Sequence, residues 1–289
     1  AVRSSQFAVR SSQFAVRSSL VYTLSSPYKF IRRRLGAIKR KAIRFSKIAS
    51  DFFRNKSKYC VICGRKVGKF YPAGISEEIF TRHHIIGGGL RDNCICPYCG
   101  SSDRERWQYY VLANYTKITS ASGFRVLHFA PEKANAQLIK SNRECSYITA
   151  DIVPGRADYT ANMTNLYQFE DSSFDYVIAN HVLEHILDEA KAFAELKRIL
   201  KHDGTLIISF PVCTDIPTYE DSTITTNEGR LKAFGQSDHV RLYGTDFKER
   251  IERYGLNVKV YSPESELIDE EITRYGFIHD DVSIFCTKK

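Results

Sequence analysis

The chain has 289 residues, of which 43% are hydrophobic, enough for one full α/β core and a smaller module. No apolar run approaches the roughly 20 residues needed to cross a bilayer, so no membrane-spanning segment is predicted. The formal net charge of +9 is unevenly distributed, because residues 1–58 carry 15 Lys and Arg and one acid, whereas residues 59–289 carry 27 bases and 32 acids. An acidic main body argues against a nucleic-acid groove across it, since phosphate contacts require Lys and Arg on the binding face.

The first segment is repetitive. Residues 1–19 contain the unit AVRSSQF twice in full and once in part. This period is far too short for a solenoid repeat, and the unit has no apolar face worth burying. We therefore predict that residues 1–27 form a low-complexity, disordered tail.

Residues 28–58 have the pattern of a basic amphipathic helix. Apolar residues recur at spacings of three and four, with Lys and Arg between them; they are Ile31, Leu35, Ile38, Ala42, Phe45, Ala49 and Phe52. Such a segment is typical of contact with an anionic membrane or an RNA backbone, and packing on the protein itself is the alternative. Because the aromatic residues lie on one face and do not alternate with the charges, the pattern favours a peripheral membrane contact over RNA.

Residues 59–107, here called the cysteine module, contain two Cys-x-x-Cys-Gly sequences. The four thiols belong to Cys60, Cys63, Cys96 and Cys99. Each pair sits on a tight turn whose following glycine tolerates positive φ, so four sulfurs can converge on one zinc ion. Iron in a rubredoxin-like site is the alternative, because tetrahedral sulfur suits both metals. Four thiolates leave no open position, so we predict a structural zinc in a reducing, cytoplasmic protein.

A helix is predicted directly after the second cysteine pair. Ser102 or Asp103 is a suitable N-cap for the sequence that follows. Trp107, Tyr110 and Val111 lie within this helix. We expect them to dock the cysteine module on the next domain.

The remaining chain, residues 108–289, alternates strand and helix patterns, which predicts an α/β domain. Seven segments are predicted strands: residues 124–130, 146–150, 157–163, 174–180, 205–210, 256–261 and 282–287. Helices are predicted from residue 131, over residues 182–200 and over residues 245–254. A long irregular segment, residues 211–243, follows the fifth strand. Loops of this length in compact domains are usually functional or disordered.

The stretch from Phe174 to His185, FDYVIANHVLEH, places a polar cluster where a buried strand ends. Ligand sites of open α/β sheets lie at the carboxyl ends of strands. The stretch resembles the fourth-strand segment of class I S-adenosylmethionine-dependent methyltransferases. That resemblance implies a Rossmann-like, seven-stranded sheet ending in a hairpin, here with a small N-terminal zinc-ribbon module, and S-adenosylmethionine as cofactor.

The turn after the first strand departs from the usual family pattern. Most members carry a Gly-x-Gly turn that lets the cofactor approach the backbone, whereas residues 128–132 read HFAPE, without glycine. This VLHFAPE form, together with the later DHVRLYG sequence, resembles a subgroup of methyltransferase-like proteins that carry zinc knuckles. Asp151, the first polar residue after the second strand, can accept both ribose hydroxyls of an adenosine cofactor; a capping or loop role is the alternative.

The family resemblance assigns further cofactor contacts. Asn162 stands where the family often has an Asp that receives the adenine amino group, and an amide oxygen can accept the same bond. Met163 would flank the adenine ring, with core packing as the alternative, and Glu132 could meet the cofactor's amino group. The complete predicted set is His128, Phe129, Ala130, Glu132, Asp151, Asn162, Met163 and Asn180.

Two groups of residues are candidates for catalysis. His181, Glu184 and His185 are predicted on one helical face, where a histidine could act as general base. A metal at these three residues, or a purely structural role, are the alternatives. In the 211–243 segment, Asp238 or His239 is a rival base, and Arg241 could hold a substrate phosphate or carboxylate. A structural salt-bridge corner is the alternative there.

The sequence therefore predicts a methyltransferase that acts on a small or medium acceptor, such as a sugar or lipid-linked glycan intermediate. A catalytically inactive binding protein of the same fold is one alternative, supported by the glycine-free turn. An RNA methyltransferase is the other, and the acidic main body argues against it. Nothing in the sequence indicates the oligomeric state.

Overall fold

The computed structural model describes residue 39 and residues 41–289. The predicted tail, residues 1–27, and the first part of the predicted amphipathic helix lie outside the described residues. Residues 54–289 form one compact unit. In the part of the chain that the structure describes, no helix combines the length and the apolar character that a membrane crossing requires.

The described part of the amphipathic segment is helical over residues 41–52, here called α1. Phe45 and Phe52, which belong to the predicted apolar stripe, are 74% and 72% exposed. Lys41 and Arg44 on the same helix are also exposed. The described turns of this helix therefore present aromatic and basic side chains to solvent together.

The cysteine module is built from short antiparallel ribbons. Strand β1 (Lys58–Cys60) pairs with β2 (Arg65–Val67), and β3 (Tyr71–Ala73) pairs with β5 (Arg91–Ile95). Along the chain, helix α2 (Ile79–Arg82) and strand β4 (Ile85–Ile86) lie between β3 and β5. Helix α3 (Asp103–Tyr115) begins after Ser102, whose side chain accepts from the Glu105 N–H in a capping box, as predicted for this position.

Seven strands form the central sheet. In spatial order they are β14 (Leu256–Tyr261), β15 (Ser283–Lys288), β10 (Leu200–Ser209), β9 (Phe174–Asn180), β6 (Arg125–Phe129), β7 (Ser146–Asp151) and β8 (Tyr159–Thr160). Strand β15 is antiparallel to both neighbours and the other pairs are parallel. This mixed, seven-stranded, Rossmann-like sheet with a final hairpin is the class I methyltransferase fold that the sequence predicted.

The remaining elements surround this sheet or form the insertion after β10. They are α4 (Lys133–Ser141), α5 (Glu189–Ile199), β11 (Val212–Cys213), β12 (Tyr219–Glu220), α6 (Asn227–Phe234), β13 (Arg241–Leu242), α7 (Phe247–Glu252), α8 (Pro263–Glu266) and α9 (Asp269–Tyr275). The segment predicted as irregular, residues 211–243, is thus partly ordered into two β ribbons and a helix. Strand β11 pairs with β4, which docks the insertion on the cysteine module.

Three predicted elements were wrong in extent. The fifth strand was predicted over residues 205–210, but β10 begins at Leu200 and ends at Ser209. The third strand was predicted over residues 157–163, but β8 contains only Tyr159 and Thr160. The helix predicted over residues 182–200 is interrupted: a 3₁₀ turn covers Leu183–His185, and α5 begins at Glu189. Its start is fixed because the Asp188 side chain accepts a hydrogen bond from the Lys191 N–H, which caps the helix there.

Helix α3 joins the cysteine module to the sheet through a shared apolar cluster. Trp107 and Val111 are fully buried beside Tyr261, Ile272 and Phe277. Tyr110 packs on the same cluster, and its ring stacks on Trp107 with centroids 5.8 Å apart. The predicted docking role of these helix residues is confirmed.

A buried arginine on the same helix completes this junction. The Arg106 guanidinium is fully buried and lies over the Phe70 ring at 3.8 Å. It donates to five carbonyl oxygens at 2.8–3.1 Å, those of Asn93, Cys94, Ser101, Tyr275 and Gly276. Burial lowers the pKa of Arg106 below its ordinary value.

We expect Arg106→Lys to lower the free energy of unfolding by about 3 kcal/mol, because an ammonium cannot reach all five oxygens and would leave buried carbonyls unsatisfied. Chemical denaturation followed by circular dichroism measures the change. Arg143→Lys, at an exposed position, is the matched control and should change stability by less than about 0.5 kcal/mol. Equal stability of the two variants would contradict the bracing role of Arg106.

Candidate functional site

The carboxyl ends of β6, β7 and β9 meet at one edge of the sheet, and the chain makes sharp turns there. Ala130, directly after β6, has φ 44°, and His181, directly after β9, has φ 53°. Both backbones are anchored, since Ala130 N–H donates to Ala150 O at 2.8 Å and His181 N–H donates to Ser209 O at 2.7 Å. Left-handed conformations of residues other than glycine cost energy and cluster at functional sites.

A first cavity of about 400 Å³ opens at this edge. Its lining includes five of the predicted cofactor residues, namely Phe129, Ala130, Asp151, Asn162 and Met163. The predicted catalytic residue His185 lies on the opposite part of the wall, with Val182 and Ile186. The structure therefore brings residues from the ends of three strands around one space.

Three residues in this cavity have defined surroundings. The Asp151 Oδ1 accepts from the Val153 N–H at 2.8 Å, which orients the carboxylate at the strand end. Met163 is 3% exposed and packs in the main core while also lining the cavity. The Asn162 Oδ1 already accepts from the Thr164 N–H at 3.0 Å and hydroxyl at 2.9 Å, so the expected bond from an adenine amino group would compete with two existing ones.

A second cavity, of about 360 Å³, adjoins the first at Ala130. It is lined by Ser102, Arg104, Glu105, Gln108, Ala130, Glu132, Asn180 and His181. The Asn180 Oδ1 accepts from the Ser209 hydroxyl at 3.1 Å, while its Nδ2 is buried and has no partner among the described residues. Helix α3 thus forms one wall of a polar cavity beside the strand ends.

The predicted cofactor residue His128 does not line either cavity. It is fully buried, and its ring nitrogens lie 2.9 Å from the Tyr147 hydroxyl and 2.8 Å from the Glu132 Oε2. Burial raises the pKa of Glu132, but the hydrogen bond and charge of His128 outweigh it, so the pKa lies below its ordinary value. His128 therefore holds an ionised Glu132 at the wall of the second cavity, which corrects the expectation of a direct contact.

The residues predicted on one helical face, His181, Glu184 and His185, lie on a turn and not on an α-helix. His181 Nδ1 is 3.4 Å from the Glu184 Oε1 and 3.4 Å from the Arg104 Nη1. Burial and the Arg104 charge lower the pKa of His181 below its ordinary value, so its imidazole is neutral at neutral pH. The 3₁₀ turn directs His181 to the second cavity and His185 to the first.

A third cavity, of about 330 Å³, shares Ser102 and Arg104 with the second. Its other walls are residues 73–95 of the cysteine module and residues 211–239 of the insertion. His239 lies in this wall, 5% exposed, and burial lowers its pKa. The second cavity therefore shares Ala130 with the first, and Ser102 and Arg104 with the third.

Arg241 lines none of the three cavities described above, and its guanidinium is occupied elsewhere, which corrects its predicted role in substrate binding. It is 3% exposed and donates through Nη1 and Nη2 to the carbonyl oxygens of Leu183, Ile186 and Leu187. Its Nε donates to the Glu220 Oε2 at 3.0 Å. Arg241 therefore braces the turn that carries Glu184 and His185. Asp238, predicted as a rival base, is 65% exposed and pairs with His185 at 3.4 Å.

The four cysteines of the two Cys-x-x-Cys sequences converge. The Sγ atoms of Cys60 and Cys99 are 3.7 Å apart, those of Cys63 and Cys96 are 3.9 Å apart, and all four lie within 4.8 Å of one another. Both following glycines have positive φ, 66° at Gly64 and 81° at Gly100, as the knuckle geometry requires. This donor set fits a tetrahedral metal ion with four thiolates.

Sequence reasoning missed the polar residues of helix α3 that line two cavities. Ser102, Arg104 and Gln108 were not predicted as site residues, because the helix was assigned only a docking role. The available signal was the Ser102-x-x-Glu105 capping box, which places Arg104 in the first, solvent-accessible turn. Which cavity that turn faces depends on the docking of the helix, and no local pattern encodes it.

Comparison with known proteins agrees with this geometry. Residues 115–208 match the family described as "Methyltransferase domain", a range that includes Asp151 and Asn180. Phosphoethanolamine N-methyltransferase 2 of Caenorhabditis elegans is 39% identical over 54 residues, 19% of this chain and 12% of that protein. A ubiquinone/menaquinone biosynthesis C-methyltransferase of Citrifermentans bemidjiense is 27% identical over 97 residues, 33% of this chain and 37% of that protein.

The chain thus spans well under half the length of these two relatives. The crystal structure of an S-adenosylmethionine-dependent methyltransferase from Archaeoglobus fulgidus is 15% identical, with a TM-score of 0.42, and covers 65% of this chain and 95% of that one. The family match lies within the methyltransferase domain predicted over residues 108–289 and, with both relatives named methyltransferases, supports the predicted enzyme class.

We expect Ala130→Val to lower the free energy of unfolding by about 2 kcal/mol, because a β-branched residue is strained at positive φ. Ala130→Gly is the matched variant: it relieves the strain but makes the unfolded chain more flexible, so its stability should stay within about 1 kcal/mol of the parent. Chemical denaturation of both variants tests this. Equal stability of the valine and glycine variants would show that the turn is not held in the left-handed region.

Proposed function

We propose that the protein is an S-adenosylmethionine-dependent methyltransferase that methylates a small or medium acceptor. The observation that carries this proposal is the pair of cavities that share Ala130. Asp151 lines the first, together with Asp188, and Glu132 lines the second, together with Glu105. The cofactor has a ribose at one end and an ammonium at the other. The carboxylates of Asp151 and Glu132 match these groups, and the two cavities lie where open α/β sheets bind nucleotides.

The first cavity would hold the adenosine part of the cofactor. Asp151 would accept from the ribose hydroxyls, and its orientation by the Val153 N–H supports this role. Phe129 and Met163 supply apolar surface for the adenine ring. The bulk of a purine and a ribose suits a cavity of about 400 Å³.

The second cavity would hold the methionine part. Glu132, kept ionised by His128, would pair with the ammonium, and Arg104 would pair with the carboxylate. The unpartnered Asn180 Nδ2 offers another donor in the same wall. When bound, S-adenosylmethionine supplies an electrophilic methyl group on a sulfonium.

The third cavity is the proposed acceptor site, because it meets the second at Ser102 and Arg104. Methyl transfer is an in-line displacement, in which positioning does most of the work. An acceptor that carries a proton on its nucleophilic atom must lose it, and His181, whose burial keeps it neutral, is placed to take that proton. A sugar or glycan intermediate is the class of acceptor that we favour for this polar space.

We further propose a structural zinc ion at Cys60, Cys63, Cys96 and Cys99. The convergence of four Sγ atoms within 4.8 Å supports it, and so does the dependence of the third cavity on the cysteine module for one of its walls. In this proposal, zinc stabilises the wall of the acceptor site and takes no part in the reaction.

The third part of the proposal is a peripheral contact of residues 28–58 with an anionic membrane surface. The exposed Phe45 and Phe52 on a basic helix support it, because insertion of aromatic side chains adds to the attraction between Lys or Arg and acidic lipids. Such a contact would hold the protein at a membrane that carries a lipid-linked acceptor.

The cofactor site can be tested with Asp151→Asn, for which we expect roughly 100-fold weaker binding of S-adenosylmethionine and S-adenosylhomocysteine, because two charge-assisted bonds to ribose become neutral ones. Isothermal titration calorimetry measures both ligands. Asp203→Asn, 99% exposed, is the matched control and should bind as the parent does. Unchanged affinity of Asp151→Asn would refute the proposed position of the ribose beside Asp151. If the folded, zinc-loaded parent protein binds neither ligand, the proposed methyltransferase activity is refuted.

The membrane contact can be tested with Phe45→Glu/Phe52→Glu, for which we expect at least roughly tenfold weaker binding to phosphatidylserine-containing vesicles. Co-sedimentation with these vesicles and with pure phosphatidylcholine vesicles measures the effect. Ile268→Glu, which changes another exposed apolar residue, serves as control. Equal binding of the parent protein, the double variant and Ile268→Glu to the vesicles would show that this helix does not contact the membrane.

A further inference from the structure

We propose that Glu184, His185 and His239 form a second metal site, for a divalent transition-metal ion. One ligand atom from each residue lies within 4.8 Å of the other two. Glu184 and His239 are 2% and 5% exposed. Their relative position is fixed by the backbone, since the Val240 N–H donates to the Glu184 carbonyl at 2.9 Å. Two imidazoles and one carboxylate are thus held together, with Glu184 and His239 buried and His185 half-buried.

One of the two histidines is oriented as metal ligands usually are. In metal sites, the ring nitrogen that does not bind the ion donates to a carbonyl or carboxylate, which fixes the tautomer. His185 Nδ1 lies 3.2 Å from the Asp238 carbonyl and 3.4 Å from its carboxylate. His185 therefore has one nitrogen engaged in the outer shell and the other available to an ion. The His239 ring meets the His185 ring edge to face, with centroids 4.7 Å apart.

The carboxylate needs a further partner. Glu184 Oε1 lies 3.4 Å from His181 Nδ1, but Oε2 is buried and has no hydrogen-bond partner among the described residues. A buried carboxylate oxygen without a partner is costly, and a cation beside it removes that cost. The orphaned oxygen is the second, independent observation that points to an ion here.

The ligand set selects the class of metal. Imidazole nitrogen favours Zn²⁺, Fe²⁺, Co²⁺ and similar ions over Mg²⁺ and Ca²⁺, which prefer oxygen. Three protein ligands leave coordination positions open, unlike the four cysteines of the structural site. The second site would therefore be able to bind an additional ligand.

The location indicates what that ligand is. His185 lines the first cavity and His239 lines the third, so the ion would lie between the proposed cofactor and acceptor sites. Resting on the proposed function, we infer that the ion binds an acceptor oxygen. A bound cation lowers the pKa of a hydroxyl, which makes it a better nucleophile at neutral pH. This narrows the acceptor class to molecules methylated on oxygen.

Cobalt distinguishes the two sites, because Co²⁺ bound to thiolates shows intense charge-transfer absorption, whereas Co²⁺ bound to nitrogen and oxygen shows only weak d–d bands. Full-length, metal-stripped protein is titrated with Co²⁺, and bound metal is counted by elemental analysis. We expect two equivalents, the first with the thiolate spectrum and the second without it. His239→Ala and Glu184→Gln should each bind one equivalent, with the thiolate spectrum retained.

Retention of the thiolate spectrum shows that these variants fold. His202→Ala, which removes a histidine that is 92% exposed, is the control and should keep both equivalents. A single equivalent in the parent protein, or two in His239→Ala, would overturn the second site. Calorimetry with S-adenosylmethionine on the same samples separates the two proposals: cofactor binding with only one cobalt refutes the metal site alone, and two cobalts without cofactor binding refute the proposed function alone.

Discussion

The buried guanidinium of Arg106 is the constraint on which the arrangement of the whole site depends. A fully buried cation is tolerated only where its N–H groups have hydrogen-bond acceptors. The five acceptors of Arg106 are all backbone carbonyl oxygens. Three of these oxygens belong to the cysteine module, and the other two belong to Tyr275, the last residue of α9, and to Gly276 directly after it. Backbone carbonyl oxygens cannot move as side chains do. Few orientations of the cysteine module against residues 275–276 therefore keep all five hydrogen bonds. That docking sets the direction of helix α3 and places Ser102 and Arg104 beside the strand ends.

The cysteine module is consequently part of the site and not an appendage. Strand β4 pairs with β11 of the insertion, and His83 Nδ1 meets the Asp215 carboxylate at 2.9 Å. The third cavity lies between the two segments that these contacts join. The methyltransferase sheet supplies the strand-end edge, as in other open α/β folds, while the module and the insertion supply what encloses it. Differences in acceptor would therefore arise in the module and insertion, outside the range matched by the family.

The sequence predicted the sheet better than the site because strand periodicity and strand ends are local properties. The predicted strands at residues 174–180 and 256–261 match the structure residue for residue. The helix start at Glu189 was missed because the apolar spacing continues through the 3₁₀ turn, and the Asp188 cap that decides it was overlooked. The positions of Arg104 and Arg241 could not be predicted, since a half-buried arginine that lines a cavity and a buried bracing one look the same in the sequence. Only the docking of α3 and of the insertion separates them.

The glycine-free turn is the strongest sequence argument for an inactive protein, and its backbone conformation weakens that argument. Ala130 occupies the left-handed region, which glycine adopts most readily, and the Ala150 carbonyl holds it there. His181, directly after the neighbouring strand β9, is held in the same region by the Ser209 carbonyl. Two such conformations at adjacent strand ends cost free energy that a purely structural turn would have no reason to retain. Ala130 lines the first two cavities and His181 lines the second, which is the expected place for strain that serves ligand binding.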